Sequence, residues 1–182
     1  MIYLHLAEGF EEIEAVTAAD ILRRAGIEVK TVSVENDRYV KGTHGITIEA
    51  DMVYDDVDYE KCEMIILPGG MPGAANLEKH EGLGKHLECF AKNGKGIAAI
   101  CAAPMILGKY GIIKGRKATI YPGMEKKLEG AHHEDKNVVT DGNIITGRGP
   151  AAAMEFALEI VKELRGSAAA DEVARDLLYN LK

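Results

Sequence analysis

The chain has 182 residues, of which 47% are hydrophobic, and this length and composition predict a single compact domain over residues 1–182. Its formal net charge of −7 argues against nucleic acid or an anionic membrane as the main partner, because phosphate groups require a basic face. The apolar stretch at residues 2–7 is too short to span a bilayer and has no basic leader before it, so a cytoplasmic protein is expected.

Strands and helices alternate along the chain. Short apolar runs that end at turns predict strands, and apolar residues spaced three or four apart predict amphipathic helices. The predicted strands cover residues 2–7, 27–34, 64–67, 97–100, 118–121, 137–140 and 143–146. The predicted helices cover residues 10–25, 82–92, a segment after Cys101, the stretch from Pro150 to Arg165, and residues 168–181. A turn at residues 41–45 predicts a hairpin over residues 38–50.

This alternation predicts an α/β fold, with a doubly wound, mostly parallel sheet and helices on both faces. Ligands of such folds bind beyond the carboxyl ends of the strands. Glu14, Gly70 and Cys101 all fall just past predicted strand ends, so a shared site is expected at that edge.

Cys101 stands where a short apolar run changes into an alanine-rich segment, which predicts an elbow between a strand and a helix. Ala99, Ala102 and Ala103 are small enough for so abrupt a turn. At the positive end of a helix dipole, near free backbone N–H groups, a thiol is favoured to ionise below its reference pKa of about 8.5. The alternative is a buried structural cysteine, and this segment alone does not separate the two.

The other cysteines give no sign of a disulfide framework. Cys62 and Cys89 are widely spaced from Cys101, and three is an odd number in a chain large enough to fold without cross-links. We expect reduced thiols, with Cys62 and Cys89 as packing residues.

Glu14 projects into the apolar stripe of the first predicted helix, whereas Glu11 and Glu12 point elsewhere. An inward carboxylate is desolvated, which raises its pKa toward the range useful for general acid–base catalysis. The alternative is a favourable interaction with the helix dipole, the role expected for Glu11 and Glu12. That role needs no place on the apolar face, so the functional interpretation of Glu14 is preferred.

The tripeptide Pro68-Gly69-Gly70 directly follows a strand and lets the backbone approach a ligand closely. The N–H groups of Gly70 and Ala102 could together form an oxyanion hole, although a Gly-Gly pair after a strand is more often a simple turn. No phosphate-binding glycine motif occurs at a strand–helix junction, so no nucleotide cofactor is expected.

The run from His132 to Asp135 contains metal-ligating residue types. Adjacent histidines diverge in regular structure, and neither Cys-x-x-Cys nor His-Glu-x-x-His occurs, so a polar loop is preferred and no metal site is expected. Arg148 lies between two glycines after a strand and is either a helix-entry residue or an anion contact.

Five motifs resemble those of the ThiJ/PfpI superfamily, most closely the branch of the parkinsonism-associated protein DJ-one and its bacterial relatives. They follow the family order over essentially the whole chain, at residues 6–14, 23–26, 67–70, 98–104 and 148–150. The resemblance implies a flavodoxin-like fold, a homodimer, and a Cys101 thiolate hydrogen-bonded to a protonated Glu14, with the Gly70 and Ala102 amides facing it. It also implies a cofactor-free glyoxalase or deglycase that acts on methylglyoxal, glyoxal or their early glycation adducts.

The resemblance has two departures. Tyr121 occupies the place of a family histidine near the nucleophile, which puts a Cys–His dyad in doubt. Ala102 follows Cys101 where the peptidase branch has histidine, and the His-Pro-Glu of the amidotransferases is missing, so proteolysis is not expected. The alternative function is a redox-sensing, chaperone-like protein whose Cys101 is oxidised to a sulfinate without turnover.

Overall fold

The computed structural model describes residues 1–179. Its strands are β1 (Ile2–Leu6), β2 (Val29–Ser33), β3 (Tyr39–Lys41), β4 (Thr47–Glu49), β5 (Met52–Val53), β6 (Met64–Leu67), β7 (Gly96–Ile100), β8 (Lys117–Ala118), β9 (His132–His133), β10 (Val138–Asp141) and β11 (Ile144–Gly147). Its α-helices are α1 (Glu12–Arg24), α2 (Gly73–Lys79), α3 (Glu81–Lys92), α4 (Pro104–Lys109), α5 (Ala153–Arg165) and α6 (Ser167–Asp176). Within these residues, no helix has the length and apolar character needed to cross a membrane.

Seven strands form the central sheet in the order β10-β11-β7-β6-β1-β2-β5. All neighbouring pairs are parallel except β10 with β11. The three strands at its centre, β1, β6 and β7, are apolar runs covered on both faces, as parallel strands usually are. The predicted α/β, mostly parallel sheet is therefore confirmed, and the chain reverses its direction of winding between β1 and β6.

Helices cover both faces of the sheet. On one face α5 packs against α1 and α6, and on the other α2 packs against α3 and α4. The long helix α5 buries Phe156, Ile160 and Val161, whose spacing places them on one apolar face. The hairpin of β3 and β4 is confirmed as a separate antiparallel pair.

The helices depart from the sequence predictions at three points. The helix α2 was not predicted, because seven residues are too few to show a periodic apolar stripe. Before α5, residues 150–152 form a turn of 3₁₀-helix. The last helix, predicted over residues 168–181, ends at Asp176, so Leu178 is 87% exposed, while residue 181 of the predicted range lies outside the described residues.

Two strand predictions also change. The predicted strand at residues 118–121 is reduced to β8, because the Thr119 N–H donates to Thr146 Oγ1 and the Tyr121 N–H donates to the Cys101 carbonyl. The predicted polar loop is wrong at His132 and His133, which form β9 through backbone pairing with β8 while both side chains stay exposed.

Candidate active site

Cys101 lies at a strained turn between β7 and α4, which confirms the predicted elbow. Its φ of 63° falls in the left-handed region, which non-glycine residues rarely adopt outside turns and functional sites. Two backbone hydrogen bonds of 2.9 Å hold the turn: the Cys101 N–H donates to the Gly147 carbonyl, and the Cys101 carbonyl accepts from the Tyr121 N–H. The surrounding structure therefore fixes the direction in which the thiol points.

Glu14 faces the interior from α1, as predicted, and only 1% of the residue is exposed. Its Oε2 accepts a 2.7 Å hydrogen bond from the Gly69 N–H. Its Oε1 makes no hydrogen bond of good geometry within residues 1–179, and the Cys101 thiol lies close enough to influence the pKa of this carboxyl.

Gly69 allows this approach between the acid and the thiol. A Cβ at Gly69 would lie 2.6 Å from Cys101 Cβ and 2.9 Å from Glu14 Oε2. Both contacts are too short for any side chain, so a glycine is required where the three segments meet. The Gly-Gly pair after β6 is therefore part of the site and not only a turn.

Burial raises the pKa of both groups. The pKa of the Glu14 carboxyl rises to about 7, chiefly through desolvation. The pKa of the Cys101 thiol rises to about 12 through desolvation and then through the negative charge of Glu14. The expectation that the helix dipole and the nearby backbone N–H groups lower the pKa of this thiol below its ordinary value is therefore wrong, because α4 has only six residues and the sulfur is largely shielded from water.

The pair consequently titrates as a unit. Below about pH 7 both groups hold a proton, and above it the pair carries one proton and one negative charge. A carboxylate at Glu14 opposes ionisation of the sulfur, whereas a protonated carboxyl that donates to the sulfur favours it. The position of that single proton decides whether the sulfur is a nucleophile.

The backbone N–H groups of Gly70 and Ala102 are directed at the Cys101 sulfur and lower its pKa, which partly offsets the burial. Gly70 has a φ of +85°, and a Cβ there would lie 2.4 Å from the Glu11 backbone nitrogen. A glycine is therefore required at position 70, both by the backbone conformation and by the lack of space for a side chain. These two donors can stabilise negative charge on the sulfur or on an atom bound to it.

The thiol opens onto a shallow pocket of about 360 Å³, although only 8% of Cys101 is exposed. The pocket is lined by Gly70, Met71, Cys101, Ala102, Tyr121, Pro122, Gly123 and Met124. It is mostly apolar, so it suits a small organic molecule with a reactive carbon near the sulfur.

Glu11 and Glu12 do not serve as exposed charges of the helix dipole, because the turn between β3 and β4 buries both. Glu12 Oε1 accepts from the backbone N–H of His44 at 2.8 Å, and Glu12 Oε2 lies 3.1 Å from His44 Nδ1. The interaction with Glu12 raises the pKa of His44 and helps to hold the turn against α1. Within residues 1–179, these three side chains are the acidic and histidine group whose ligand atoms lie close enough together to hold a metal ion.

Arg148 lies beside the site but outside the Cys101 pocket. Its Nη1 forms a 2.6 Å ion pair with the exposed Asp135, and it lines a second pocket with Asn137. Cys62 is buried as expected, whereas Cys89 is exposed on α3, so the packing role predicted for Cys89 is wrong.

The structure also contains a buried histidine in the first strand that is not among the candidate site residues predicted from the sequence. His5 is fully buried on β1, and its Nε2 lies 2.7 Å from the Tyr59 hydroxyl. Tyr59 in turn stacks on His86, with ring centroids 3.6 Å apart. The feature of the sequence that could have indicated this contact is the polar residue His5 within the apolar run of β1.

The DJ-1/PfpI family model matches residues 1–163 of the chain. The chain belongs to this family. Among its family relatives, Protein dj-1beta of Drosophila melanogaster is 42% identical over 179 residues, which are 96% of each chain. The glutathione-independent glyoxalase DJR-1.2 of Caenorhabditis elegans is 38% identical over 87% of this chain and 85% of its own. The solved structure of oxidized Toxoplasma gondii DJ-1 has a TM-score of 0.95 at 36% identity and covers 99% of this chain and 98% of that one.

Proposed function

We propose that this protein is a cofactor-independent glyoxalase that converts methylglyoxal or glyoxal to the corresponding hydroxy acid with Cys101 as nucleophile. The observation that carries the proposal is the strained elbow that holds the Cys101 thiol beside the buried carboxyl of Glu14. A relative that covers most of the chain and is named a glutathione-independent glyoxalase supports the same reaction class.

In the first step, the Glu14 carboxylate takes the proton of the Cys101 thiol as the sulfur forms a bond to the aldehyde carbon, and this proton then passes from Glu14 to the aldehyde oxygen. The product is a neutral hemithioacetal, and Glu14 is left as a carboxylate. The N–H groups of Gly70 and Ala102 offset negative charge while the oxygen is still unprotonated.

In the second step, the Glu14 carboxylate removes the hydrogen on the former aldehyde carbon as a proton and returns it to the neighbouring carbon, while the hydroxyl proton moves from the former aldehyde oxygen to the oxygen of the neighbouring carbonyl. The hemithioacetal thereby becomes a thioester of the hydroxy acid, with no external oxidant or reductant. Water then cleaves the thioester, which releases lactate or glycolate and restores the starting pair. The same attack on an early glycation adduct of a protein or thiol would release the unmodified group, so a deglycase activity follows from the same two side chains.

The decisive experiment measures lactate formed from methylglyoxal without glutathione, for wild type, Cys101→Ser and Glu14→Gln. We expect turnover to disappear in Cys101→Ser and to fall by about a hundredfold to ten-thousandfold in Glu14→Gln, because the proton relay is lost. The wild-type rate should rise with pH through about 7, where the pair loses its first proton. Cys89→Ser, at the exposed cysteine, is the matched control and should keep full activity. Lactate production that survives Cys101→Ser would refute the proposal.

The second candidate is a redox sensor in which the same sulfur is oxidised to a sulfinate without turnover. The oxidized state of the similar Toxoplasma gondii structure favours testing it. Two equivalents of peroxide each deliver one oxygen atom and leave as water, so Cys101 should gain about 32 Da. Such a gain confined to Cys101, together with no consumption of aldehyde, would favour the sensor over the enzyme.

We further propose a homodimer that forms through α1 and the hairpin of β3 and β4. This face carries four large apolar side chains that are 49–62% exposed, namely Ile13, Val16, Tyr39 and Ile46. A groove of about 310 Å³ beside them is lined by residues of both charges, namely Arg23, Asp20 and Glu49. When two copies are related by a twofold axis, the positive side chain of one copy can therefore face the negative side chains of the other. Sedimentation of the purified chain would report twice the monomer mass.

A further inference from the structure

Both hydrogen bonds that hold the Cys101 elbow are connected to the end of strand β11. The Cys101 N–H donates to the carbonyl of Gly147, the last residue of that strand, at 2.9 Å. The Cys101 carbonyl accepts from the Tyr121 N–H, also at 2.9 Å. The residue before Gly147 is Thr146, which is completely buried. Its side chain links β11 to the segment that carries Tyr121.

The hydroxyl of Thr146 fixes this segment two residues before Tyr121. Its Oγ1 accepts a 2.9 Å hydrogen bond from the N–H of Thr119, which is also completely buried. The same hydroxyl donates to the Val139 carbonyl on β10 at 3.4 Å. The side chain of Thr119 is held as well, because its Oγ1 donates to the Lys136 carbonyl at 2.9 Å. The Thr119 N–H is therefore shielded from water, and the Thr146 hydroxyl is its acceptor.

The elbow needs this support because Cys101 is strained. A non-glycine residue with a φ of 63° persists only where the surrounding contacts hold it there. Without the Thr146 hydroxyl, the buried Thr119 N–H loses its acceptor, and the segment must shift or admit water to replace it. Either change weakens the hydrogen bond from Tyr121 to the Cys101 carbonyl, so the elbow relaxes.

A relaxed elbow moves the Cys101 sulfur. The N–H groups of Gly70 and Ala102 that stabilise negative charge on the sulfur belong to other segments and do not follow it. The carboxyl of Glu14 stays on α1, where the Gly69 N–H holds it. The acid and the sulfur then no longer share a proton.

We infer that Thr146 is a positioning residue whose buried hydroxyl holds the Cys101 elbow in its strained conformation and thereby keeps the sulfur beside Glu14. Thr146 does not line the Cys101 pocket, so it acts through the backbone and not on a substrate. For turnover the inference rests on the proposed glyoxalase function, whereas for the position of the sulfur it stands on the hydrogen bonds alone.

Three variants separate this role from general stability. Thr146→Val removes the hydroxyl and keeps the size of the side chain, and Thr146→Ser keeps the hydroxyl. The matched control is Thr140→Val on the neighbouring strand β10, where the lost hydroxyl donates to Glu159 Oε1 on α5 at 3.0 Å and is not bonded to the elbow.

The first test needs no turnover and measures the alkylation rate of Cys101 by iodoacetamide as a function of pH. Peptide mass spectrometry follows each cysteine separately: the exposed Cys89 is the internal reference, and the buried Cys62 should stay unlabelled while the chain is folded. In wild type the rate should rise through about pH 7, where the pair of Glu14 and Cys101 loses its first proton. In Thr146→Val we expect the midpoint to move up by about one pH unit or more, toward the value of about 8.5 of an ordinary thiol.

Thr146→Ser and Thr140→Val should both keep the wild-type midpoint. An unchanged midpoint in Thr146→Val, with Cys62 still protected, would overturn the inference. An equal shift in Thr140→Val would also overturn it, because the loss of any hydroxyl at this edge would then act alike. If Cys62 becomes labelled in Thr146→Val, Thr146→Ala replaces it under the same criteria.

The second test measures kcat and KM for methylglyoxal in the same proteins. In Thr146→Val we expect kcat to fall by about tenfold to a hundredfold with little change in KM, because a small misplacement of a reacting group is costly. Thr146→Ser should restore kcat. If no protein turns over the aldehyde while the alkylation midpoint still responds to the hydroxyl, the proposed function fails and the positioning role remains. If the midpoint does not respond, the positioning role fails whatever the turnover.

Discussion

Two ionisable pairs, each with a fully buried member, lie against the sheet in different surroundings. Glu14 and Cys101 meet at the carboxyl edge, where the thiol opens onto a pocket. His5 and Tyr59 meet within a layer of aromatic rings on the sheet, where His5 is fully buried. Desolvation is the largest influence in both places: it raises the pKa of Glu14 to about 7 and lowers the pKa of His5 to about 3.

A shifted pKa by itself therefore does not mark a functional site. Both pairs bury a group that prefers to be neutral, but only the first combines it with a nucleophile, backbone N–H donors and access from solvent. In the second pair one ring nitrogen of a core histidine, Nε2, bonds to a tyrosine hydroxyl, whereas the buried Nδ1 makes no hydrogen bond of good geometry within residues 1–179. The two pairs should therefore respond differently to pH and to substitution.

The largest expected effect is the acid sensitivity caused by His5. Its folded pKa of about 3 lies below the ordinary 6.5, so the unfolded chain binds more protons in this window and stability falls as the pH falls through it. The full loss is about 5 kcal/mol, of which about 3 kcal/mol has occurred by pH 4. Urea unfolding of wild type and His5→Leu at pH 7 and pH 4 should give a markedly smaller loss in the variant.

The matched control is His133→Leu, because His133 is an exposed histidine on β9. It should show the same loss between pH 7 and pH 4 as wild type. Equal losses in wild type and His5→Leu would mean that His5 can be protonated in the folded protein, and the sealed character of the second pair would be disproved.

The second effect has the opposite sign. The folded pKa of Glu14, about 7, lies above its ordinary 4.5, so the folded chain holds the extra proton and stability is lost as the pH rises through this window. Glu14→Gln stays neutral and should be more stable than wild type at pH 8 by about 3 kcal/mol, with little difference at pH 4. Denaturant unfolding at the two pH values measures this.

Glu8→Gln, at an exposed glutamate of the same segment, is the control and should leave stability unchanged at both pH values. A Glu14→Gln variant that is less stable than wild type at pH 8 would show that the ionised carboxylate is well solvated in the folded state. Glu14 would then not hold the proton that the proposed reaction requires.

Much of this arrangement follows from local sequence. The continuous apolar runs of β1, β6 and β7 have the period and length of buried parallel strands, so the sheet and its functional edge were predictable. The stripe position of Glu14 and the small residues around Cys101 placed the acid and the thiol correctly on the fold. These features depend on neighbours within a few residues along the chain.

The features that were missed depend on distant segments. Glu11 and Glu12 are buried by a turn more than thirty residues away, which no helical wheel represents. The pKa of the Cys101 thiol is raised chiefly by burial and then by the negative charge of Glu14, and these outweigh the backbone N–H groups of Gly70 and Ala102, which lower it. The aromatic layer around His5 gathers rings from three separate stretches of chain, so its stacking has no sequence period.

The smallest expected effect comes from a substitution at Tyr59 that removes one hydroxyl and leaves the ring in place. It distinguishes the two pairs most clearly. Tyr59→Phe keeps the stacking on His86 but leaves His5 Nε2 without its 2.7 Å partner, so we expect a loss of about 1 to 3 kcal/mol in unfolding free energy. Turnover of methylglyoxal should not change, since the second pair is sealed from the pocket. Tyr121→Phe, which removes an exposed hydroxyl, should cost less than about 0.5 kcal/mol. If Tyr59→Phe instead lowered turnover as strongly as Glu14→Gln does, the aromatic layer would be coupled to the active site and the contrast between the two pairs would fail.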